Sequence, residues 1–264
     1  MLSLLVLGVM TREIRASDLR SLTASVRDSG DAQEAVICNA SGLFGAGGRP
    51  AGHFERLFDS GIDVITLGAK SLARPAVREF LLQSGSSARP VLRPLNIPPG
   101  APGTGFAKLE TASGACWIVS LDTGDDRLPV EPAWESLASF ERSLADRLSM
   151  VVDIHGSDLE LKQALAWRAS SLGRPIHVIG TGLGCIAGHA VVRNGRACVP
   201  DAGIAAEESA IGGIAPDIWW QRRDHLRGGS SLPPERVYID AVRLRLDERG
   251  RATSLERLRL GMNP

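Results

Sequence analysis

The chain has 264 residues, 44% of them hydrophobic, and its 30 basic and 30 acidic residues give a formal net charge of +0 at pH 7. This length supplies a sizeable core. The balanced charge argues against a nucleic-acid or membrane-surface partner, which would need a basic patch. The four cysteines lie far apart without a C-x-x-C pair, which predicts reduced core residues in a cytoplasmic protein. They are Cys38, Cys116, Cys185 and Cys198.

The first half of the chain alternates predicted strands and helices. Leu2–Leu7 is apolar throughout and predicts a central first strand rather than a signal peptide, because no basic segment precedes it. Further strands are predicted at 35–38 and 62–67, and helices at about 17–26, 50–60 and 70–83. This β-α alternation implies a largely parallel sheet with helices packed on it.

The second half is richer in turns. Residues 93–105 hold four prolines and three glycines, which predicts an ordered loop or a linker. Hairpins are predicted across Ser113-Gly114 and across Asn194-Gly195, where the second dipeptide is typical of a type I′ turn. A helix is predicted at Pro132–Leu148, an irregular region through Trp219-Trp220, and a final antiparallel pair at 237–246 and 255–260.

A buried strand predicted at Met150–Ile154 leads directly into His155. Gly156 turns the chain, and Ser157 or Asp158 can cap the following helix. Because α/β proteins place chemistry at the carboxyl ends of buried strands, His155 is a candidate metal ligand or acid–base group. The alternative is a hydrogen-bonded structural histidine.

A glycine-rich segment, Gly180–Gly184, follows a predicted strand and imitates a dinucleotide-binding motif. That motif needs a full helix and a second parallel strand after the glycines. Only residues 185–193 separate these glycines from the hairpin turn, and Gly188 interrupts them. The sequence therefore argues against a dinucleotide site.

Five stretches, taken in chain order, resemble the YmdB family of calcineurin-like metallophosphoesterases over nearly the whole chain. They are 61–68, 93–105, 153–155 with the helix through Trp167, 178–181 and 201–203. The resemblance implies a single domain over residues 1–264, an α/β metallophosphoesterase-like sandwich of two β-sheets flanked by helices. It also implies a bacterial homo-oligomer in which two divalent metals of the Fe, Mn or Mg type hydrolyse phosphodiesters, including cyclic nucleotides.

This chain departs from that family pattern at most of the metal-site positions. By the resemblance, those positions are Val9, Cys38, Asn39, Ala69, Lys70, His155, Gly182 and Gly184. Only Asn39 and His155 retain expected ligands, and a Cys38 thiolate can add at most one bond to a soft ion. A dinuclear site needs about six or seven protein ligands. We therefore predict no bound metal and no catalytic residue.

The favoured hypothesis is a catalytically inactive homologue that acts as a regulatory, scaffold or structural subunit. One alternative is a non-hydrolysing nucleotide or phosphate binder, using the glycine-rich loops 45–48 and 180–184. Its candidate ligand-binding residues are Lys70, His155, Asn39, Asn96 and Thr181. Another is an enzyme, either a residual phosphodiesterase with a metal-poor site around Cys38, Lys70 and His155 or one with different chemistry that also uses Asp153. A protein partner or self-association is expected, and Trp219-Trp220 is either a subunit contact or a core plug.

Overall fold

The structure is a computed structural model that describes residues 1–11, 16–27, 35–43, 50–83, 89–124, 130–224 and 236–262. Two large β-sheets pack against each other, helices cover their outer faces, and Ile186–Ala187 and Asp201–Ala202 form a separate two-stranded sheet. This is the α/β sandwich that the sequence predicted. The glycine-rich loop 45–48 lies outside the described residues.

The described residues form sixteen strands and six α-helices. The strands are β1 (Leu2–Leu7), β2 (Val9–Met10), β3 (Ala35–Asn39), β4 (Val64–Thr66), β5 (Val91–Leu92), β6 (Phe106–Thr111), β7 (Gly114–Asp122), β8 (Met150–His155), β9 (Ile176–Thr181), β10 (Ile186–Ala187), β11 (Val191–Arg193), β12 (Arg196–Val199), β13 (Asp201–Ala202), β14 (Ile204–Glu207), β15 (Val237–Leu246) and β16 (Ala252–Met262). The helices are α1 (Ala16–Arg27), α2 (Pro50–Asp59), α3 (Pro75–Gln83), α4 (Ala133–Ser143), α5 (Leu159–Arg168) and α6 (Pro216–Arg223). Within the described residues, no helix is long and apolar enough to cross a membrane.

The first sheet has the strand order β2-β14-β15-β1-β3-β4-β5, with β16 paired to β15. Strand β1 is central, as its apolar sequence predicted, with β3 parallel on one side and β15 antiparallel on the other. Strands β3, β4 and β5 continue the parallel part, so the carboxyl ends of β1, β3 and β4 meet at one edge. The predicted final pair is confirmed as β15 and β16.

The second sheet has the strand order β11-β12-β9-β8-β7-β6. Strands β7, β8 and β9 are parallel, which brings their carboxyl ends together. Both predicted hairpins are present, β6–β7 and β11–β12. In the second hairpin, Asn194 and Gly195 have φ values of 53° and 72°, as a type I′ turn requires.

Three apolar clusters hold the layers together. The cluster between the sheets includes Leu4 and Ile37 from the first sheet and Ile118 and Ile179 from the second. A second cluster joins the first sheet to α1, α2 and α3, and a third joins the second sheet to α4 and α5. The inner cluster fixes the two sheets against each other, so the polar ends of their strands lie face to face.

Three local predictions were wrong. Helix α4 ends at Ser143 rather than continuing to Leu148, because Leu144 adopts an extended conformation at φ −85° and ψ 129°. Trp219 and Trp220 lie in helix α6 rather than in an irregular segment, and the Trp220 side chain is exposed. Cys185 is exposed and therefore is not a core residue, whereas Cys38 and Cys116 are buried.

Candidate functional site at the strand ends

The buried Asp153 carboxylate lies where the strand ends of the two sheets meet. Its Oδ1 accepts a hydrogen bond from the Thr181 hydroxyl at 2.7 Å. Its Oδ2 accepts one from Asn39 Nδ2 at 2.8 Å and a short one from the Thr66 hydroxyl. Asn39 and Thr66 end strands of the first sheet, whereas Asp153 and Thr181 belong to the second. This buried polar network therefore connects the two sheets.

Burial raises the pKa of Asp153, while its three hydrogen bonds and the nearby Lys162 lower it. Asn39 uses both amide hydrogens in this network, because its Nδ2 also donates to Thr181 Oγ1 at 3.1 Å. Its Oδ1 accepts from the Ser41 N–H at 3.0 Å. The polar groups of the network thus satisfy one another.

The His155 ring occupies the space directly outside this network. Its Nδ1 lies 3.3 Å from Thr181 Oγ1. Because the single hydroxyl hydrogen of Thr181 is donated to Asp153, Nδ1 carries the imidazole proton and Nε2 keeps its lone pair. Burial, followed by the positive charges of Lys162 and Lys70, lowers the pKa of His155 to about 3. The ring is therefore neutral at pH 7.

Two glycines make room for that ring. A Cβ at Gly68 would lie 2.1 Å from His155 Cδ2, and a Cβ at Gly182 would lie 2.9 Å from His155 Cε1. Gly182 also has a φ of 104°, a conformation that side-chain-bearing residues rarely adopt. The imidazole is thus held between the segment that follows β4 of the first sheet and the segment that follows β9 of the second.

A buried ion pair lies behind the network. Lys162 Nζ is 3.2 Å from Asp201 Oδ2, and both side chains are fully buried. The same ammonium donates to the Thr181 carbonyl at 2.8 Å, and Asp201 also accepts from the N–H groups of Leu183 and Gly203. Burial lowers the pKa of Lys162 and raises that of Asp201, and each partner opposes the shift of the other.

The Pro/Gly segment 93–105 is an ordered loop that lies beside these strand ends, rather than a linker. Its Asn96 is fully buried and bonds only backbone: Oδ1 accepts from the Asp122 N–H, and Nδ2 donates to the carbonyls of Asp122 and Glu131. The Asp122 carboxylate in turn accepts from the Ala69 N–H at 2.7 Å. Asn96 therefore has a structural role here and is not exposed for ligand binding.

The remaining predicted positions add no cluster of ligands beside His155. Val9 is buried in β2, and Gly184 follows β9 in a turn with a φ of 76°. Cys38 packs in the cluster between the first sheet and its helices, whereas its neighbour Asn39 faces Asp153. Burial, with the charge of Asp153, raises the pKa of the Cys38 thiol well above its usual value. Cys38 is therefore a neutral thiol, unsuited to the residual-enzyme hypothesis.

Lys70 is exposed on the 3-10 turn Ala69–Ala73, which follows β4. Its charge acts on His155, so the two predicted candidates lie on the same side of the site. Asn39 and Thr181 are also brought together, but both are buried inside the network. Of the candidate ligand-binding residues, Lys70 and His155 are the two that reach the surface.

A pair of divalent ions does not fit the side chains that are present. The amide of Asn39 is already bonded to Asp153, Thr181 and Ser41, and the Asp153 carboxylate already accepts three hydrogen bonds. That leaves the neutral imidazole of His155. Across the described residues, no group of three or more His, Cys, Asp or Glu side chains is arranged to hold a metal. Two divalent cations need several anionic ligands to offset their charge.

Three residues of this region, Thr66, Asp122 and Lys162, were not identified from the sequence. Thr66 and Asp122 are the last residues of β4 and β7, so both satisfied the strand-end criterion that selected His155. Lys162 lies three residues from both Leu159 and Leu165, on the apolar side of α5. A lysine in that position was the available signal for a buried charge.

The two sheets with helices outside them form the metallophosphoesterase-like sandwich that the sequence resemblance implied, and the polar site lies at the strand ends of both sheets. A family model described as "YmdB-like protein" matches residues 6–258, and the chain belongs to this family. A "2',3'-cyclic-nucleotide 2'-phosphodiesterase" of Bacillus subtilis (strain 168) is 23% identical over 163 residues, which cover 61% of this chain and 60% of that relative.

Two solved structures share the fold over nearly their whole length. A hypothetical protein from Thermus thermophilus superposes with a TM-score of 0.82 at 23% identity, covering 100% of both chains. A novel phosphatase from Mycoplasma pneumoniae superposes with a TM-score of 0.84 at 16% identity, covering 99% of this chain and 94% of its own. At such identities these likenesses concern the fold alone.

Proposed function

We propose that this chain is a catalytically inactive homologue of the YmdB-type phosphodiesterases that acts as a regulatory, scaffold or structural subunit. One observation carries the proposal: in the space around His155, whose ring packs between Gly68 and Gly182, the described residues form no group of three or more His, Cys, Asp or Glu that could hold a metal. The other positions implied by the resemblance bring few donors to that space. They are Val9, Cys38, Asn39, Ala69, Lys70, Gly182 and Gly184.

The neighbouring carboxylates support the same proposal. Asp153 is bound by Asn39, Thr66 and Thr181, and Asp201 is paired with Lys162. Recruiting either carboxylate to a metal would leave buried donors or a buried ammonium without a partner, which costs several kcal/mol, on the order of 3. These residues stabilise the junction of the two sheets instead.

The proposal is tested with purified protein and added manganese. We expect no hydrolysis of a generic phosphodiester or of 2′,3′-cyclic AMP above a His155→Ala control, and no stoichiometric pair of metals by elemental analysis. Turnover that the wild type shows and the His155→Ala variant lacks would overturn the proposal.

A second candidate function is non-hydrolysing binding of an anion such as a nucleotide or phosphate. The observation that favours it is the position of Lys70, whose exposed side chain lies close enough to His155 for its charge to lower the pKa of that ring. Calorimetric titration with inorganic phosphate and with 2′,3′- and 3′,5′-cyclic nucleotides tests it. Saturable binding that Lys70→Ala abolishes would favour this candidate. The absence of any heat of binding would instead favour the inactive subunit proposed first.

A further inference from the structure

A groove that shares no lining residue with the strand-end network runs between helix α5 and the hairpin β11–β12. Its volume is about 400 Å³, within the range of ligand pockets. Trp167 and Ala166 form one wall, and Val191 and Cys198 form part of the other. Strand β11 is at the edge of the second sheet, so the groove lies at the margin of the sandwich.

Large apolar side chains are unusually exposed at this groove. The Trp167 side chain is 76% exposed, and Val191 is 43% exposed. Trp167 is not needed to fill the core, because Leu165 on the opposite side of α5 packs against the second sheet. Exposed tryptophans are enriched among the residues that dominate protein–protein binding energy.

The hairpin adds positive charge to the groove. Arg193 and Arg196 face each other across the ladder on either side of the turn, and both line the groove. The stem of Arg251 lies against Gly195 in the same turn. Like charges directly opposite in a ladder are unfavourable, and none of the described residues lining the groove is acidic. Carboxylates from a partner would relieve this repulsion.

We propose that this groove binds an acidic peptide segment of a partner protein, with an apolar side chain against Trp167 and carboxylates on Arg193 and Arg196. The inference rests on the proposed function, because a regulatory or scaffold subunit needs a surface that recognises its partner. A second copy of this chain is a poorer occupant. A two-fold dimer through the groove would bring the arginines of both copies together.

Single-stranded nucleic acid also combines aromatic stacking with positive charge. The groove favours a peptide for two reasons. Trp167 is the one aromatic side chain among its described lining residues, and the chain has a formal net charge of +0. Successive bases would need several stacking platforms and a longer basic track.

The test measures fluorescence anisotropy of a labelled peptide with a Leu-Trp pair flanked on both sides by Asp and Glu, added to the full chain. A matched peptide carries Asn and Gln in place of the acids. We expect saturable, salt-sensitive binding of the acidic peptide and weaker binding of the neutral one. Trp167→Ala and Arg193→Glu should each weaken the affinity by about tenfold.

Matched controls are available on another surface. Trp220 and Arg223 are exposed on α6, so Trp220→Ala and Arg223→Glu should leave the affinity unchanged. In a charge swap, the Arg193→Glu variant should bind a peptide with Lys in place of the acids better than the wild type does. Thermal melting of each variant establishes that it is folded.

Several outcomes would overturn the inference. They are equal affinity for the acidic and neutral peptides, equal loss in the α6 controls, tighter binding of a poly-dT oligonucleotide, or self-association that Trp167→Ala abolishes in sedimentation velocity. The phosphodiesterase assay distinguishes this failure from failure of the proposed function. If the chain is inactive but does not bind the acidic peptide, only the groove proposal fails. If the chain hydrolyses phosphodiesters and also binds the peptide, only the proposal of inactivity fails.

Discussion

Asp153 is the residue on which contact between the strand ends most directly depends. Its carboxylate accepts hydrogen bonds from Asn39, Thr66 and Thr181, and none of the four is exposed by more than a few per cent. Removing a shared buried acceptor leaves each donor desolvated and without a partner. The stability of the fold is therefore more sensitive to substitution of Asp153 than its place within a strand alone suggests.

We predict that Asp153→Ala lowers the free energy of unfolding by about 3 kcal/mol. Asp153→Asn is the matched control, and we expect a smaller loss because its amide oxygen still accepts from Asn39 and Thr66. Urea denaturation of both variants measures the difference. Equal losses in the two variants would show that the negative charge, which both variants lack, matters more than the hydrogen bonds that Asn keeps.

His177 should make the fold sensitive to acid. It is fully buried, its Nδ1 accepts from the Ala197 N–H at 3.1 Å, and its Nε2 lies 2.9 Å from the Gly250 carbonyl. Protonating Nδ1 would break the first of these bonds. Burial accordingly lowers the pKa of His177 from 6.5 to about 4.

The folded pKa is below the unfolded one, so the unfolded chain binds the proton more readily as the pH falls. We predict that His177 contributes a loss of stability between about pH 6.5 and pH 4, at up to about 1.4 kcal/mol per pH unit. The raised pKa values of Asp153 and Asp201 have the opposite effect on stability as the pH falls. The contribution of His177 is therefore measured by comparing the wild type with a His177 variant. Urea denaturation across this pH range should give a shallower slope for His177→Gln, and identical slopes would contradict the prediction.

At the scale of the elements, helix α5 carries Lys162 to its buried partner and Trp167 to the groove. Asp158 is its N-cap, and its carboxylate accepts from the Leu161 N–H at 2.8 Å. We predict that Asp158→Ala lowers the free energy of unfolding by about 1 kcal/mol. Asp158→Asn, which also caps helices well, should cost far less in the same denaturation experiment. A loss as large as for Asp158→Ala would implicate the charge rather than the capping bond.

At the scale of the whole molecule, the cluster between the sheets joins residues from both halves of the chain. Leu4 and Ile37 pack there with Ile118 and Ile179. Because neither sheet can bury its inner face alone, we predict a single cooperative unfolding transition. Tryptophan fluorescence and far-ultraviolet circular dichroism should report coincident urea midpoints. Two separate transitions, or two stable fragments after proteolysis within 89–105, would contradict a single domain.

Much of this architecture could be predicted from local sequence because local chemistry determines it. The apolar run Leu2–Leu7 forms the central strand, and Asn194-Gly195 forms the expected hairpin turn. The end of α4 was missed because its cause is distant. Residues 146–148 turn toward the buried Arg174 guanidinium, which bonds the carbonyls of Asp146 and Leu148. Helix α6 did have a local signal, since Pro216 is its first residue.

The site was predicted in position but not in detail. His155, Asn39 and Thr181 do lie together, because parallel strands align their carboxyl ends. The partners of the buried charged side chains could not be predicted from the spacing of these residues in the sequence. Lys162 and Asp201 are 39 residues apart and meet only because α5 and β13 both pack against β9. The outward packing of Cys38 likewise depends on which face of β3 meets the helices.

The final prediction concerns restoring the missing ligands. The family resemblance places one metal-binding carboxylate at the position of Val9, which is buried in β2 beside β14. We predict that Val9→Asp gives no phosphodiesterase activity and no stoichiometric metal, because positions 69, 182 and 184 would still lack ligand side chains. The buried, unpaired carboxylate should instead lower the free energy of unfolding by about 3 kcal/mol. Assays with 2′,3′-cyclic AMP and manganese, elemental analysis and urea denaturation measure all three results, and Val9→Ala controls for lost volume. Metal-dependent turnover by Val9→Asp would show that a single carboxylate is enough to complete a site around Asn39 and His155.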